Sequence, residues 1–330
     1  MILHPWILGL IVGHSSLLLV FSIGFVNAWR IFKGWDYNSS QELQFQLEKK
    51  TYLVSTIMNF ALFTQILMLF LFTVAAQELA SVLPGAMCAV GTLSSNSYGF
   101  PLLYIKFFSF FVYFVWLMFN YLDNQIETYP LVRAKNLGLL LIYPVVFAET
   151  ILLLLFVLNL DPSVITSCCG SVYNEGTGGL GGSMAGAAPG LILPLFFGIV
   201  ILLLLNRFFF RFTALEFPLW LLFFITAIIV TISFITTYVY EMLTHKCPFC
   251  FMGTEYHYYG VGLYFFLFIA AAAGMTGGLL ESVRKSDVLW KQALILRKKM
   301  HFASLYGMLA FIVIGFFPFV AYYLKTGRLI

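Results

Sequence analysis

All five cysteines lie in segments that separate long apolar runs, and none lies in the middle of such a run. Cys88 lies in one segment, Cys168 and Cys169 in a second, and Cys247 and Cys250 in a third. A cysteine used only as a small hydrophobic residue would be expected within the apolar runs themselves. Because the number is odd, complete pairing within one chain is impossible. This placement predicts redox, disulfide or metal chemistry.

The clearest motif is the sequence HKCPFC at 245–250, which contains a C-x-x-C pair. A disulfide between Cys247 and Cys250 would close a very small loop and stabilise the fold little. Such a pair is better suited to exchange, and we expect Lys246, with His245, to favour the thiolate. A static local disulfide and a metal site remain as alternatives. In the metal alternative, zinc or Cu(I) would be bound by His245, Cys247, Cys250 and His257.

The other two cysteine-containing segments offer partners for this pair. Cys168 and Cys169 precede a glycine-rich stretch, a flexible tether of the kind that a mobile relay needs, although one or two structural disulfides in an ordinary loop remain an alternative. The segment around Cys88 has no charged residue, so we expect it to fold over the helices and to cover Cys88, near Cys168 or Cys169. Because Phe251 follows Cys250, the motif for covalent c-type haem is absent.

The elements that position these cysteines are predicted to be transmembrane helices. The 330 residues are 61% hydrophobic and only 10% charged, whereas about 25% is usual for soluble proteins. This composition excludes a cytosolic enzyme, a disordered regulator and a nucleic-acid-binding protein. Eight apolar runs are long enough to cross a bilayer of about 30 Å, which predicts an all-α polytopic bundle forming a single integral membrane domain. The runs are 5–31, 51–80, 101–122, 137–158, 189–205, 217–243, 258–280 and 302–324.

The distribution of basic residues predicts the orientation of these spans. Alternate connecting segments on one side hold fourteen Lys and Arg residues, and the other side holds three. Because basic segments stay in the cytoplasm, both termini and all cysteines are expected on the outer side. The long outer loops are then 81–100, 159–188 and 244–257. We expect an inner-membrane protein whose cysteines face an oxidising compartment. The polar segment 32–50 is expected to form a short surface helix in its second half.

Three ionisable residues fall within the predicted spans: His14, Lys106 and Glu149. Ionisable groups in a bilayer are costly and usually functional. All three are expected in the outer half of the membrane, on the side of the cysteines. A Lys106–Glu149 pair near His14 would lower the cost of burying each group and could relay protons to a quinone or a substrate. Alternatively, Lys106 extends to the interface, while the other two bond to backbone or hydroxyl groups.

The sequence CPFC at 247–250, placed where an outer loop enters a helix, resembles that of membrane thiol oxidoreductases of the DsbB and vitamin K epoxide reductase type. In those proteins a CxxC pair lies beside a bound quinone, and an outer loop carries further cysteines. Cys88, followed by serines at 94, 95 and 97, is similar to the loop element of the epoxide reductases. In this resemblance Cys168 and Cys169 would take the place of the shuttle pair. The resemblance implies a quinone cofactor and thiol–disulfide exchange.

The leading hypothesis is therefore a membrane redox protein that exchanges disulfides at the outer face and is linked to the quinone pool. Cys247 is expected to be the more exposed thiol, and Cys250 to face the quinone. A mobile Cys168 or Cys169 would connect them to a thioredoxin-like protein or a cytochrome. Two alternatives are kept: a metal-handling or respiratory accessory subunit, and a transporter that uses the intramembrane Lys, Glu and His residues and has structural disulfides.

Overall fold

The structure is a computed structural model, and it describes residues 3–36, 42–126, 128–161, 173, 180–210, 212–284 and 287–328. In this part of the chain every regular element is a helix, and eight helices are long and apolar enough to cross a membrane. The prediction of an all-α polytopic membrane bundle is confirmed. The eight helices are α1 (Pro5–Gly34), α2 (Glu42–Leu79), α3 (Gly99–Asp123), α4 (Val132–Leu158), α5 (Pro189–Leu205), α6 (Thr213–Tyr240), α7 (Tyr259–Leu279) and α8 (Asp287–Thr326).

Several helices extend beyond the apolar runs that predicted them. The polar segment that begins at Glu42 is the start of α2 and not a separate surface helix. Most of the basic segment 281–301, which connects the predicted spans 258–280 and 302–324, forms the first turns of α8, which begins at Asp287. In both places good helix formers lead into the apolar run without a helix-breaking residue. Hydropathy marks where a helix enters the bilayer, and it does not mark where the helix begins.

The chain divides into two compact units. Unit 1 consists of Met1–Leu79, Leu93–Val164 and Ser286–Gln292, and it contains α1 to α4. These helices form a closed ring, since α1 and α3 each pack against both α2 and α4. Two glycines of α1 allow close contact with α2, because Gly13 lies against Met68 and Gly24 against Met58. Small residues of this kind let membrane helices approach each other closely.

Unit 2 consists of Ala80–Thr92, Ile165–Lys285 and Ala293–Ile330, and it contains α5 to α7 and most of α8. Aromatic rings fill its centre, where Phe196 and Phe223 have ring centroids 5.7 Å apart and Phe311 packs against both. The ring of Trp220 in α6 lies against Gly274 of α7. Within α6 a π-helical turn, Thr231–Ile235, separates the α-helix Thr213–Val230 from a last α-helical turn, Thr236–Tyr240. The prediction of one domain for the whole chain stays a prediction.

Candidate functional site

Three cysteine sulfur atoms converge in unit 2. The Sγ atoms of Cys88, Cys247 and Cys250 all lie within 4.8 Å of one another. The Sγ atoms of Cys88 and Cys247 are 3.5 Å apart, although the two residues are 159 positions apart in the sequence. This distance is longer than the S–S bond of about 2.05 Å, so it is a contact between two sulfur atoms. We call Cys88, Cys247 and Cys250 the thiol cluster.

Cys88 enters the thiol cluster from a compact turn that precedes the short helix Ala89–Leu93. The carbonyl oxygen of Cys88 accepts a hydrogen bond of 2.9 Å from the backbone N–H of Gly91. A Cβ atom at Gly91 would lie 2.8 Å from the backbone of Ala86, so glycine permits this tight fold. Cys88 is only 1% exposed. The expectation that this uncharged segment covers Cys88 is confirmed.

Two tyrosine hydroxyl groups hold the C-x-x-C segment in place. The hydroxyl of Tyr240, at the end of α6, donates to the carbonyl oxygen of Cys247 at 2.7 Å. The hydroxyl oxygen of Tyr240 also accepts a hydrogen bond of 3.0 Å from the backbone N–H of Phe251. The hydroxyl of Tyr264 in α7 donates to the carbonyl oxygen of Pro248 at 2.8 Å. The segment is thus fixed to both helices that flank it, and its cysteines have defined positions.

The exposures of the two C-x-x-C cysteines are the reverse of the prediction. Cys247 is buried, at 1% exposure, and Cys250 is partly exposed. The expectation that Cys247 is the more exposed thiol is wrong. The reason is the hydrogen bonding of Tyr240, which draws the segment back onto the helix ends and leaves Cys247 beside Cys88. Cys250 begins a short 3-10 turn, Cys250–Met252, and it is the member of the cluster that solvent or a partner can reach.

The residues predicted to activate the thiols are held by other groups. The ammonium of Lys246 donates to the carbonyl oxygen of Ala185 at 2.8 Å. The ring of His245 lies against the ring of Tyr240, with centroids 4.4 Å apart. Activation of the thiolates by Lys246 and His245 stays a prediction. Cys168 and Cys169, the predicted relay, lie outside the described residues.

The thiol cluster also has the geometry of a site for a soft metal ion. In tetrahedral zinc coordination, Zn–S bonds of about 2.3 Å place the sulfur atoms about 3.8 Å apart. The sulfur atoms of the cluster need only a small shift to meet that spacing. Among the described His, Cys, Asp and Glu residues, the structure gathers Cys88 with Cys247 and Cys250, and it does not gather His245 or His257 there. The metal alternative therefore has three thiolates as its described ligands.

Unit 1 brings together the three ionisable residues that were predicted within the spans. The ammonium of Lys106 lies 3.1 Å from Glu149 Oε2 and 3.0 Å from His14 Nε2. All three side chains are buried, with exposures of 0–2%. Sequence reasoning missed Tyr113, whose hydroxyl donates to Glu149 Oε1 at 2.8 Å. Its spacing of seven residues from Lys106, about two helical turns, was the available signal. A proton-relay role for these residues stays a prediction.

Two further charged clusters were also missed. In unit 1 the ammonium of Lys135 lies 2.7 Å from Asp123 Oδ2. In unit 2 the guanidinium of Arg297 donates to Glu216 at 3.0 Å and to Glu281 at 2.8 Å. Charge counting assigned the basic residues of both clusters to connecting segments, and both residues lie inside helices instead. Hydropathy gives no sign of such clusters, because their residues lie at the ends of the apolar runs.

The candidate site therefore consists of three thiols where α6 ends and α7 begins, and a buried charge cluster in unit 1 forms a second group of reactive residues. Comparisons with protein-family models, with curated protein sequences and with solved structures find no match for this chain.

Proposed function

We propose that this protein is an integral membrane thiol oxidoreductase whose thiol cluster exchanges disulfide bonds with a dithiol partner and passes electrons to a quinone. The observation that carries the proposal is the convergence of Cys88 with the C-x-x-C pair, from a segment 159 residues away. A structural disulfide needs two cysteines, whereas exchange needs a third sulfur atom within reach. The burial of two thiols and the partial exposure of the third favour a relay from the surface inward.

In the proposed cycle the oxidised protein holds a disulfide between Cys247 and Cys250. A thiolate of the partner attacks the exposed Cys250 sulfur, forms a mixed disulfide and releases the Cys247 thiolate. The partner's second thiolate then attacks its own sulfur in the mixed disulfide and releases Cys250. The partner has lost two electrons and two protons, and the C-x-x-C pair has gained them. A quinone takes the two electrons and two protons, becomes a quinol and restores the disulfide.

Cys88 gives this cycle a second position for the disulfide. The Cys247 sulfur lies in contact with Cys88 and within 4.8 Å of Cys250, so it can pair with either. Exchange between these two pairings moves the disulfide between the partly exposed sulfur and the buried one without any net oxidation. Basic residues are concentrated in the connecting segments on the opposite side of the bilayer from the cysteine-containing segments. This distribution supports a position of the thiol cluster on the outer side of the inner membrane, where disulfides persist.

The test compares two double variants that each leave one cysteine of the C-x-x-C pair. Cys88→Ser with Cys247→Ser leaves the exposed Cys250, and Cys88→Ser with Cys250→Ser leaves the buried Cys247. After reduction and treatment with oxidised glutathione, we expect a stable glutathione adduct on Cys250 in the first variant and far less on Cys247 in the second, with the modified cysteine identified by mass after peptide digestion so that adducts on Cys168 and Cys169 are counted separately. The wild type should release glutathione and form an internal disulfide, because a resolving thiol is present.

The proposal also requires electron transfer to a quinone. The wild-type protein in detergent should catalyse reduction of a short-chain ubiquinone analogue by dithiothreitol, monitored as the loss of quinone absorbance. The Cys247→Ser and Cys250→Ser variants should lose this activity. A wild-type protein that retains bound glutathione, or that has the same thiol count with and without reductant after oxidation, contradicts the proposal.

The second candidate function is the handling of a soft metal ion, and the spacing of the three sulfur atoms favours it. It predicts that each single Cys→Ser variant loses bound Cd²⁺, used as a spectroscopic probe for thiolate ligation, to a similar extent. In the metal-loaded state, the two double variants would then form similar amounts of glutathione adduct. The exchange mechanism predicts that the cysteines differ in adduct formation, whereas the metal site predicts that each cysteine contributes similarly to metal binding.

A further inference from the structure

Unit 1 contains two buried pairs of a lysine with an acid, and their surroundings differ in kind. In the first pair, Lys135 and Asp123, the side chains are 2% and 0% exposed. The second oxygen of Asp123 accepts the backbone N–H of Leu131 at 2.7 Å. The ammonium of Lys135 also approaches the amide oxygens of Asn120 and Asn124. These described hydrogen-bond partners are backbone and side-chain amides, which do not titrate in the physiological range, so they provide no route for proton transfer.

In the second pair, Lys106 and Glu149, the other hydrogen bonds of the two groups are made with titratable side chains. Tyr113 donates to one carboxylate oxygen of Glu149, and Lys106 donates to the other. Lys106 also donates to Nε2 of His14. The result is a continuous hydrogen-bonded chain of four titratable groups from α1, α3 and α4, all at most 2% exposed. From α2 the ring of Phe72 faces the ammonium at 5.7 Å.

The His14 end of this chain offers a hydrogen bond that no described group accepts. An ammonium can only donate, so Nε2 is the acceptor, and the neutral ring carries its proton on Nδ1. His14 Nδ1 is buried and has no hydrogen-bond partner among the described residues. The amide of Gln65 in α2 is likewise buried with neither atom paired, and Gln65 lies about one turn from Met68, which packs on Gly13. Unpaired polar groups of this kind indicate an internal water molecule or a ligand.

We propose that Tyr113, Glu149, Lys106 and His14 form a membrane-embedded proton-binding and proton-transfer site whose exchange end is His14 Nδ1. In the loaded state the Glu149 carboxyl carries the extra proton, and Tyr113 keeps its own proton and donates to Glu149 Oε1. On release, His14 passes its Nδ1 proton to a water molecule held beside Gln65, Lys106 passes a proton to His14 Nε2, and Glu149 passes its proton to Lys106. Uptake is the reverse, so one proton is exchanged at one end and no electron moves. The site does not depend on the proposed thiol chemistry.

The experiment is a pH titration of the purified full-length protein, monitored by infrared spectroscopy with ¹³C-labelled glutamate. We expect a carboxylic acid band that grows as the pH falls and that is missing from the Glu149→Gln variant. Tyr113→Phe keeps the ion pair and removes one hydrogen bond to Glu149, so it should shift the frequency of this band without abolishing it. His14→Asn should slow the exchange of this carboxyl group with deuterium, because it removes the end that exchanges with water.

The pair of Lys135 with Asp123 provides the matched control. Asp123→Asn, examined with ¹³C-labelled aspartate, should remove no titrating carboxyl band in the same pH range. If the wild type and Glu149→Gln have the same titration, or if His14→Asn leaves deuterium exchange unchanged, the Lys106–Glu149 pair is structural like Lys135–Asp123. Where Glu149→Gln does not fold, a Tyr113→Phe protein without a frequency shift overturns the proposal. Failure here would leave the glutathione experiment on the thiol cluster unaffected.

Discussion

The two units differ in where their ionisable and thiol groups lie. Unit 1 buries ionisable side chains within its ring of helices, as Lys106 and Glu149 show. Unit 2 packs aromatic rings at its centre, and its thiols lie where α6 ends and α7 begins. A charge in low dielectric is tolerated only with a partner, whereas a thiol that reacts with another protein has to be reachable. The two proposals follow this difference, with proton transfer proposed inside unit 1 and disulfide exchange proposed at the helix ends of unit 2.

The largest expected effect comes from breaking the ion pair of Lys106 with Glu149 in unit 1. Replacing Lys106 by Met or Glu149 by Gln alone should lower the free energy of unfolding by about 3–5 kcal/mol, because one charge remains buried without its partner. The double variant should lose less than the sum of the two single variants. Thermal unfolding in detergent measures all three, and additive losses would mean that the two groups do not interact.

The pair of partly exposed Glu281 with exposed Arg284 serves as the control for this cycle. The side chain of Arg284 is 70% exposed, although its guanidinium nitrogen lies 3.0 Å from Glu281. Replacing Arg284 by Ala should change the free energy of unfolding by at most about 1 kcal/mol, since water screens the interaction. A loss as large as that of the Lys106 variant would show that burial does not decide the cost.

A smaller effect tests the aromatic packing that distinguishes unit 2. A Cβ atom at Gly274 would lie 2.1–2.4 Å from the ring of Trp220. Gly274→Ala should therefore cost about 1–3 kcal/mol by overpacking. On the same helix, a Cβ atom at Gly262 would meet no atom within 4 Å, so Gly262→Ala should be neutral or stabilise the helix by about 0.5–1 kcal/mol. Equal unfolding temperatures for the two variants would contradict the close helix contact.

The smallest effect on stability has the most direct consequence for the thiols. Tyr240→Phe removes two hydrogen bonds to the C-x-x-C segment and should cost about 1–2 kcal/mol. The buried Cys247 should then react faster with N-ethylmaleimide, measured by mass after peptide digestion. Tyr258→Phe is the control, because Tyr258 is 57% exposed. An unchanged reaction rate at Cys247 would mean that the hydroxyl of Tyr240 does not determine its burial.

Most residues of the site could be identified from the sequence, but their spatial arrangement could not. The C-x-x-C pair, Cys88 and the three intramembrane groups were all named from residue type and position. The proximity of Lys106 and Glu149 was also expected, because two opposite charges in a bilayer stabilise each other. Tyr113 and the pair of Lys135 with Asp123 were missed, since tyrosine is common in this chain and charges at helix ends look like loop residues.

The amino-acid sequence alone was enough to predict the eight long apolar helices found among the described residues, and the position of the cysteines in the segments between apolar runs. These properties follow from local composition, because each apolar run has to cross the bilayer as a hydrogen-bonded helix. Three features required knowledge of the three-dimensional structure: the contact of Cys88 with Cys247, the greater accessibility of Cys250, and the hydrogen bond by which Tyr113 completes the buried chain. These contacts join segments that are distant along the chain, and they depend on how helices pack, on glycines such as Gly91 and on single hydroxyl groups such as that of Tyr240.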